Sequence, residues 1–134
     1  MFPKPIIVFV CEHGAAKSIV AATYFNELAA KHGLNLKAIA RGTNPDKAMS
    51  EQTAQGLEKD GLIPIEPTPQ RLSTIDLQSA QRIVSFCELP AEYGEVGVIE
   101  QWNDVSPVSQ DYDKARDEIL KHLHDLLNRI RSSP

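Results

Sequence analysis

The sequence predicts an α/β fold: a single-domain three-layer sandwich over residues 1–134, in which a four-stranded parallel sheet carries helices on both faces. Three observations predict it. Apolar runs rich in β-branched residues alternate along the chain with segments whose apolar positions recur at three- and four-residue spacing. Hydrophobic residues make up 42% of the 134 and charged residues 24%, enough for one independently stable core. No internal repeat, low-complexity segment or linker interrupts the pattern.

The elements follow in order. "PIIVFV", residues 5–10, is a continuous β-branched and aromatic run, as expected of a strand buried on both faces of a parallel sheet. "SIVAATYFNELAAKH", 18–32, is rich in helix formers and closes on Gly33, with Lys31 and His32 suited to the negative end of the helix dipole. "NLKAIA", 35–40, reads as a second strand. The polar stretch "RGTNPDKAMS" then leads into a second helix, with Ser50 as N-cap and "EQTAQGLEKDG" as its body. Three prolines in "GLIPIEPTPQRL" exclude an interior strand, so residues 63–72 are expected to form an exposed loop. A short helix through "TIDLQSA" precedes "RIVSFC", 82–87, a third buried strand, and "EVGVIEQW", 95–102, is a weaker fourth. The last helix, about 110–131, is marked by Ala115, Ile119, Leu123, Leu126, Leu127 and Ile130 along one face. Asp111 and Asp113 stand at its start and Arg129 and Arg131 at its end, as the dipole prefers.

Charge and composition narrow the function. A net charge of -4 leaves no basic field for nucleic acid, so no nucleic-acid partner is expected. No apolar stretch approaches the roughly 20 residues that span a bilayer, so no membrane partner is expected either. The opening "MFPKPIIVFVC" is broken by prolines and reads as a strand rather than an export signal, which places the protein in the cytoplasm. Two cysteines in such a chain are expected to be thiols rather than a structural disulfide.

Chemistry concentrates at the first strand-to-helix corner, "VFVCEHGAAKSIVAATYF". In a parallel sheet, ligands bind at the carboxyl edge, and the first such loop cradles anions because amide hydrogens and the helix dipole converge there. Cys11 stands at that edge, where a helix N-terminus and Lys17 favour a nucleophilic thiolate; an inert, buried strand-end thiol is the alternative. Gly14, Ala15 and Ala16 carry so little bulk that backbone amides can approach a tetrahedral oxyanion. The stretch is not a nucleotide-binding G-x-x-x-x-G-K-[ST] loop, since Cys11 and Ala16 occupy the glycine positions.

The corner resembles the Cys-x5-Arg-[Ser/Thr] loop of the low-molecular-weight protein tyrosine phosphatases and the related thiol-dependent arsenate reductases. The likeness continues in order along the chain. "IARGTNP" resembles the second-strand segment that usually reads Ser-Ala-Gly-Thr, "IVSFC" the strand that ends in a second redox cysteine in the reductases, and "WNDVSP" the Asp-Pro loop. The resemblance implies the fold of that family and a Cys11 nucleophile attacking the phosphorus of a phosphate monoester. Glu12, His13, Gly14, Ala15, Ala16 and Lys17 would wrap the substrate oxygens. Ser18 would hydrogen-bond the sulfur, or else simply cap the helix.

Two residues depart from the family pattern. Lys17 replaces the arginine whose planar fork binds two oxygens, a loss of roughly 1–3 kcal/mol in transition-state binding. Ser106 falls where the general-acid aspartate belongs. Asp104 is the nearest substitute acid, or is a solvated loop carboxylate. Cys87 points toward arsenate reduction with Cys11, or is a core thiol; the third cysteine of thioredoxin-coupled reductases is missing from "CELPAEYG". The alternatives are therefore a phosphatase, an arsenate reductase, or a catalytically degenerate phosphate-binding or docking module. The expected partners are a phosphate, arsenate or phosphotyrosine-type substrate and a thiol reductant, with no cofactor.

Other candidates are weaker. His13 either touches substrate or thiol, or faces solvent. His122 and His124, two apart on one helix, face different ways and do not make a metal pair. Tyr93 and Tyr112 are substrate-facing or surface residues.

Overall fold

The structure, a computed structural model, describes residues 5–93 and 98–132. Its sheet is built around Ile6–Cys11 (β1), whose residues from Ile7 to Cys11 are all buried. β1 pairs in parallel with Lys37–Gly42 (β2) on one side and with Ala80–Ser85 (β3) on the other; Ile99–Gln101 (β4) adds to β3, giving the order β2-β1-β3-β4. The expected α/β architecture with a four-stranded, all-parallel sheet is therefore present.

Alternation along β1 divides the core in two. Ile7, Phe9 and Cys11 face Lys17–Lys31 (α1) and Tyr112–Ser132 (α4), meeting Val20, Phe25, Ile119 and Leu123. Val8 and Val10 face the opposite side, where Leu72, at the end of the proline-rich stretch, and Leu77 of the short helix Thr74–Ser79 (α3) cover them. Ser73 and Asp76 close a reciprocal capping box at the start of α3. Glu51–Lys59 (α2), capped by the Ser50 hydroxyl on the Thr53 N–H, packs against α1 and α4 rather than lying across the sheet.

Element boundaries shift by a few residues from the sequence reading, and three differences bear on the site. β3 ends at Ser85, leaving Phe86 and Cys87 outside the strand. The buried Ser85 hydroxyl donates to the Cys87 carbonyl and accepts the Cys87 N–H at 3.2 Å, which turns the chain out of the sheet. β4 is only three residues long, and residues 95–97 of the expected fourth strand lie outside the described residues. The proline-rich segment is exposed at Ile63 and Ile65, as expected, but it ends by bridging Arg71 to Gly42 and burying Leu72 in the core.

One contact sets the shape of the β1–α1 corner. Gly14 has φ +61, in the left-handed region that glycine reaches without cost, and lies directly on Gly42. A Cβ on Gly42 would stand 2.7 Å from the Gly14 nitrogen, so neither backbone can accept a side chain there. Away from the corner, α1, α2 and α4 meet in a polar cluster. The Asp60 carboxylate accepts from the Tyr24 hydroxyl, from the Tyr112 hydroxyl at 2.9 Å and from Arg116 at 3.1 Å. Burial disfavours the charged carboxylate, but these donors outweigh it and hold the Asp60 pKa below its ordinary value. The same burial and the same carboxylate push the Tyr24 hydroxyl up to about 12.

Two predictions follow from this packing. Gly42→Ala should lower stability by about 1–3 kcal/mol, the usual cost of overpacking, with a measurable fall in Tm; an unchanged Tm would show that the corner can give way. Asp60 is depressed in the folded state, so its contribution is complete above the unfolded carboxylate pKa of about 3.9 and is lost as pH falls through the lower folded value. Urea titrations of Asp60→Asn should therefore show reduced stability at neutral pH and a flatter acid limb than the wild-type protein.

Candidate active site

The backbone of the β1–α1 loop is oriented by the segment that follows β2. Carbonyls of Cys11, Glu12, His13 and Ala15 accept the N–H groups of Thr43, Asn44, Asp46 and Ser50 at 3.1, 2.7, 2.9 and 2.9 Å. With its carbonyls turned outward, the loop turns its amides inward. None of the N–H groups of residues 12–16 finds a backbone or side-chain acceptor among the described residues. α1 also opens on Ala16 with no side-chain cap and no acidic residue in its first turn. Its first amides and the positive end of its dipole are left facing the same space.

That space is a cavity of about 340 Å³. Cys11, Glu12, His13, Ala15, Ala16 and Lys17 line it from the loop and Cys87 from beyond β3. The Cys11 Sγ lies 3.0 Å from the Ser18 Oγ, and Ser18 is fully buried. Of the two roles open to Ser18, the hydroxyl is therefore committed to the sulfur and not to capping. Cys87 shares the cavity, its Sγ 3.7 Å from the Ser85 hydroxyl. Burial pushes the Cys87 thiol up, only partly offset by that hydroxyl.

Lys17 has an unexpected second task. Its ammonium donates to the carbonyl of Val105 at 2.8 Å, tying the start of α1 to the 102–109 segment. Trp102 anchors the same segment, wedged between Phe9 and Phe86 and stacked on His122 with ring centroids 4.7 Å apart. An ammonium carries three N–H donors, so one is held by the loop while the others remain available toward the cavity that Lys17 lines.

The candidate acid of that segment lies elsewhere. Asp104 is largely exposed, does not line the cavity, and bonds His122 at 2.8 Å. That hydrogen bond lowers the Asp104 pKa, which makes it a poorer proton donor. The Ser106 N–H is held by Glu118 at 2.8 Å. The two tyrosines are also engaged away from the cavity, Tyr112 on Asp60 and Tyr93 on the carbonyl of Leu72 at 3.2 Å. Among the described residues no cluster of His, Cys, Asp and Glu could hold a metal, and no helix is long and apolar enough to cross a membrane.

Several lining residues carry no sequence signal. Asp46 and Ser50 reach the cavity from the polar stretch after β2, and Phe86, Pro107, Val108 and Ser109 form its opposite wall. Asp46, Val108 and Ser109 arrive through strand order and loop packing, whereas Ser50, Phe86 and Pro107 belong to segments already marked in the sequence.

A family model described as low molecular weight phosphotyrosine protein phosphatase matches residues 6–133. Among solved structures, YfkJ from Bacillus subtilis is similar at TM-score 0.82 and 20% identity, over 96% of this chain and 95% of that one. An arsenate reductase from Archaeoglobus fulgidus matches at TM-score 0.76 and 24% identity, over 91% and 98% of the two chains. A low molecular weight protein tyrosine phosphatase from T. tengcongensis matches at TM-score 0.77 and 20% identity, over 93% and 99%. A comparison with curated proteins gave no match.

The Lys17 contact generates a prediction. Lys17→Met should release the 102–109 segment, raising amide exchange there and shifting the emission of Trp102, the single tryptophan, while α4 exchange stays unchanged. Unaltered exchange at residues 103–109 would show that the contact does not hold the loop.

Proposed function

The chain belongs to the low molecular weight phosphotyrosine protein phosphatase family, and from that premise we propose that it hydrolyses phosphate monoesters with Cys11 as nucleophile. One observation carries this reading. The Cys11 sulfur, 3.0 Å from the Ser18 hydroxyl, stands in a cavity lined by a loop whose residue 12–16 amides have no acceptor among the described residues. A phosphoryl dianion seated there would meet converging amide hydrogens and the positive end of α1, the arrangement that stabilises charge developing in phosphoryl transfer.

In this reading the sulfur displaces the ester oxygen and takes the phosphoryl group. Ser18 hydrogen-bonds the sulfur while it attacks and again when it leaves. The amides of residues 12–17 hold the peripheral oxygens, with Lys17 adding its charge from beside the Val105 carbonyl. Water then cleaves the thiophosphate and restores Cys11. Phe86, Pro107 and Val108 offer an apolar wall to an aromatic leaving group, so a phosphotyrosine-type ester is the substrate class we assign. No cofactor is needed for these steps. Two free thiols suit a reducing compartment, and we place the protein in the cytoplasm.

Cys87 favours a second reading, arsenate reduction, because it lines the same cavity as Cys11. There the Cys87 thiolate would attack the sulfur of a Cys11–arsenate adduct, forming a disulfide as arsenic leaves as arsenite; an external thiol would then reduce the disulfide. The raised Cys87 pKa limits its thiolate at neutral pH and weighs against this step.

Assaying aryl-phosphate hydrolysis and thiol-dependent arsenate reduction side by side separates the readings. Cys11→Ser should abolish hydrolysis, while Cys87→Ser should leave it within a few-fold. Asp104→Asn should also change it less than the 10²-fold or more expected for loss of a general acid. Arsenate reduction lost in both cysteine variants, with no ester hydrolysis in the wild-type protein, would instead support the reductase. Phosphate binding with neither activity would overturn the catalytic reading.

A further inference from the structure

Transfer from an unactivated ester leaves an oxyanion that must take a proton, and the acid expected of the 102–109 segment, Asp104, does not line the cavity. Asp104 is turned to His122 and Ser106 cannot serve near neutral pH. A different group stands at the mouth. His13 lines the cavity from within the loop, its Nδ1 3.3 Å from Asp46 Oδ1, and Asp46 lines the cavity as well. The two residues also meet through the backbone, where the Asp46 N–H donates to the His13 carbonyl at 2.9 Å. Gly14, the next residue, is pinned on Gly42, so the backbone that carries the imidazole has a fixed position. The imidazole itself is 56% exposed.

We propose that His13, oriented by Asp46, is the general acid of this site and protonates the leaving oxygen. This rests on the phosphatase reading above and deepens it. A carboxylate on Nδ1 fixes the tautomer and directs Nε2 to proton transfer. As the Cys11 sulfur forms its bond to phosphorus, the P–O ester bond breaks and its electron pair takes the Nε2 proton, leaving neutral imidazole with Nδ1–H toward Asp46. Water then attacks the thiophosphate and gives its proton to Nε2. The S–P bond breaks, and thiolate, hydrogen phosphate and imidazolium result, so charge and protons balance over the cycle. The other ionisable groups around His13 are Glu12 in its own loop, 3.8 Å from Nε2, and, lining the same cavity, Lys17 at the start of α1, Cys11 at the end of β1 and Cys87 beyond β3. Glu12 and Asp46 flank the ring from either side, and Asp46 is the one that faces Nδ1.

Leaving-group dependence tests this directly. p-Nitrophenolate departs without help, whereas phenolate needs a proton. His13→Gln should lower kcat/KM for phenyl phosphate by about 10²-fold or more, the usual contribution of a general acid, while p-nitrophenyl phosphate falls by less than about 10-fold. Asp46→Asn, as loss of a positioning residue, should give the same selective pattern at smaller amplitude, with an altered alkaline limb of the phenyl phosphate pH profile. Circular dichroism and Tm establish that both variants fold, and the exposed imidazole predicts that they do. Wild-type turnover of both esters with equal loss on both in His13→Gln, or with no loss on phenyl phosphate, overturns the role of His13 alone. A wild-type protein inert toward both esters overturns the phosphatase reading and this inference together.

Discussion

Four backbone hydrogen bonds decide what the β1–α1 loop can be. Once Thr43, Asn44, Asp46 and Ser50 take up the carbonyls of Cys11, Glu12, His13 and Ala15, the amides of residues 12–16 are left without an acceptor among the described residues. A buried or half-buried N–H without a partner costs free energy, so a loop held this way is stable only if something polar visits it. The rest of the corner serves the same end. Gly14 and Gly42 allow the two backbones to touch, and the small side chains of Ala15 and Ala16 leave the amides uncovered. An uncapped α1 adds its first turn to the cradle. In the proposed function, oxyanion binding is a property of main-chain direction, fixed by β2 and its following segment, before any side chain is considered.

The side chains then divide the work. Ser18 is buried and committed to Cys11, a contact unaffected by motions at the rim. Lys17 belongs to two places at once, since its charge lies beside the cradle while its ammonium holds the Val105 carbonyl. An arginine would favour bidentate contact with an oxyanion; the compact ammonium instead suits a point contact that links the cradle to the wall opposite. Trp102 gives that wall its rigidity through Phe9, Phe86 and His122. Asp104 is drawn into the same support through His122, which is why a carboxylate in this loop ends up as a strut.

Much of this was legible in the sequence, and the illegible parts share a cause. Strand, loop and helix at the first corner follow from local periodicity, and Cys11 at the carboxyl edge follows from the parallel sheet that alternation implies. The small residues Gly14, Ala15 and Ala16 were legible as a loop that lets amides approach an anion, and the structure adds the left-handed φ of Gly14. Gly42 was not, because its need for glycine comes from Gly14, a residue from another element. The end of β3 was hidden by the apolar run through Phe86 and Cys87, which masks the turn made by the Ser85 hydroxyl. The Lys17–Val105 contact joins residues 88 apart, and no local pattern encodes it. Asp46 was passed over as part of a polar connection, and its meaning appears only when His13 is seen beside it.

The central claim is that phosphoryl transfer passes through the sulfur of Cys11. Quenching the enzyme in acid during turnover of an aryl phosphate, then locating the phosphoryl group by peptide mass spectrometry, tests it most directly. The account predicts phosphocysteine at Cys11, formed and lost at rates compatible with turnover and absent without substrate. Steady release of phosphate with no phosphoryl group on Cys11 at any time, or turnover surviving in Cys11→Ser, would contradict it.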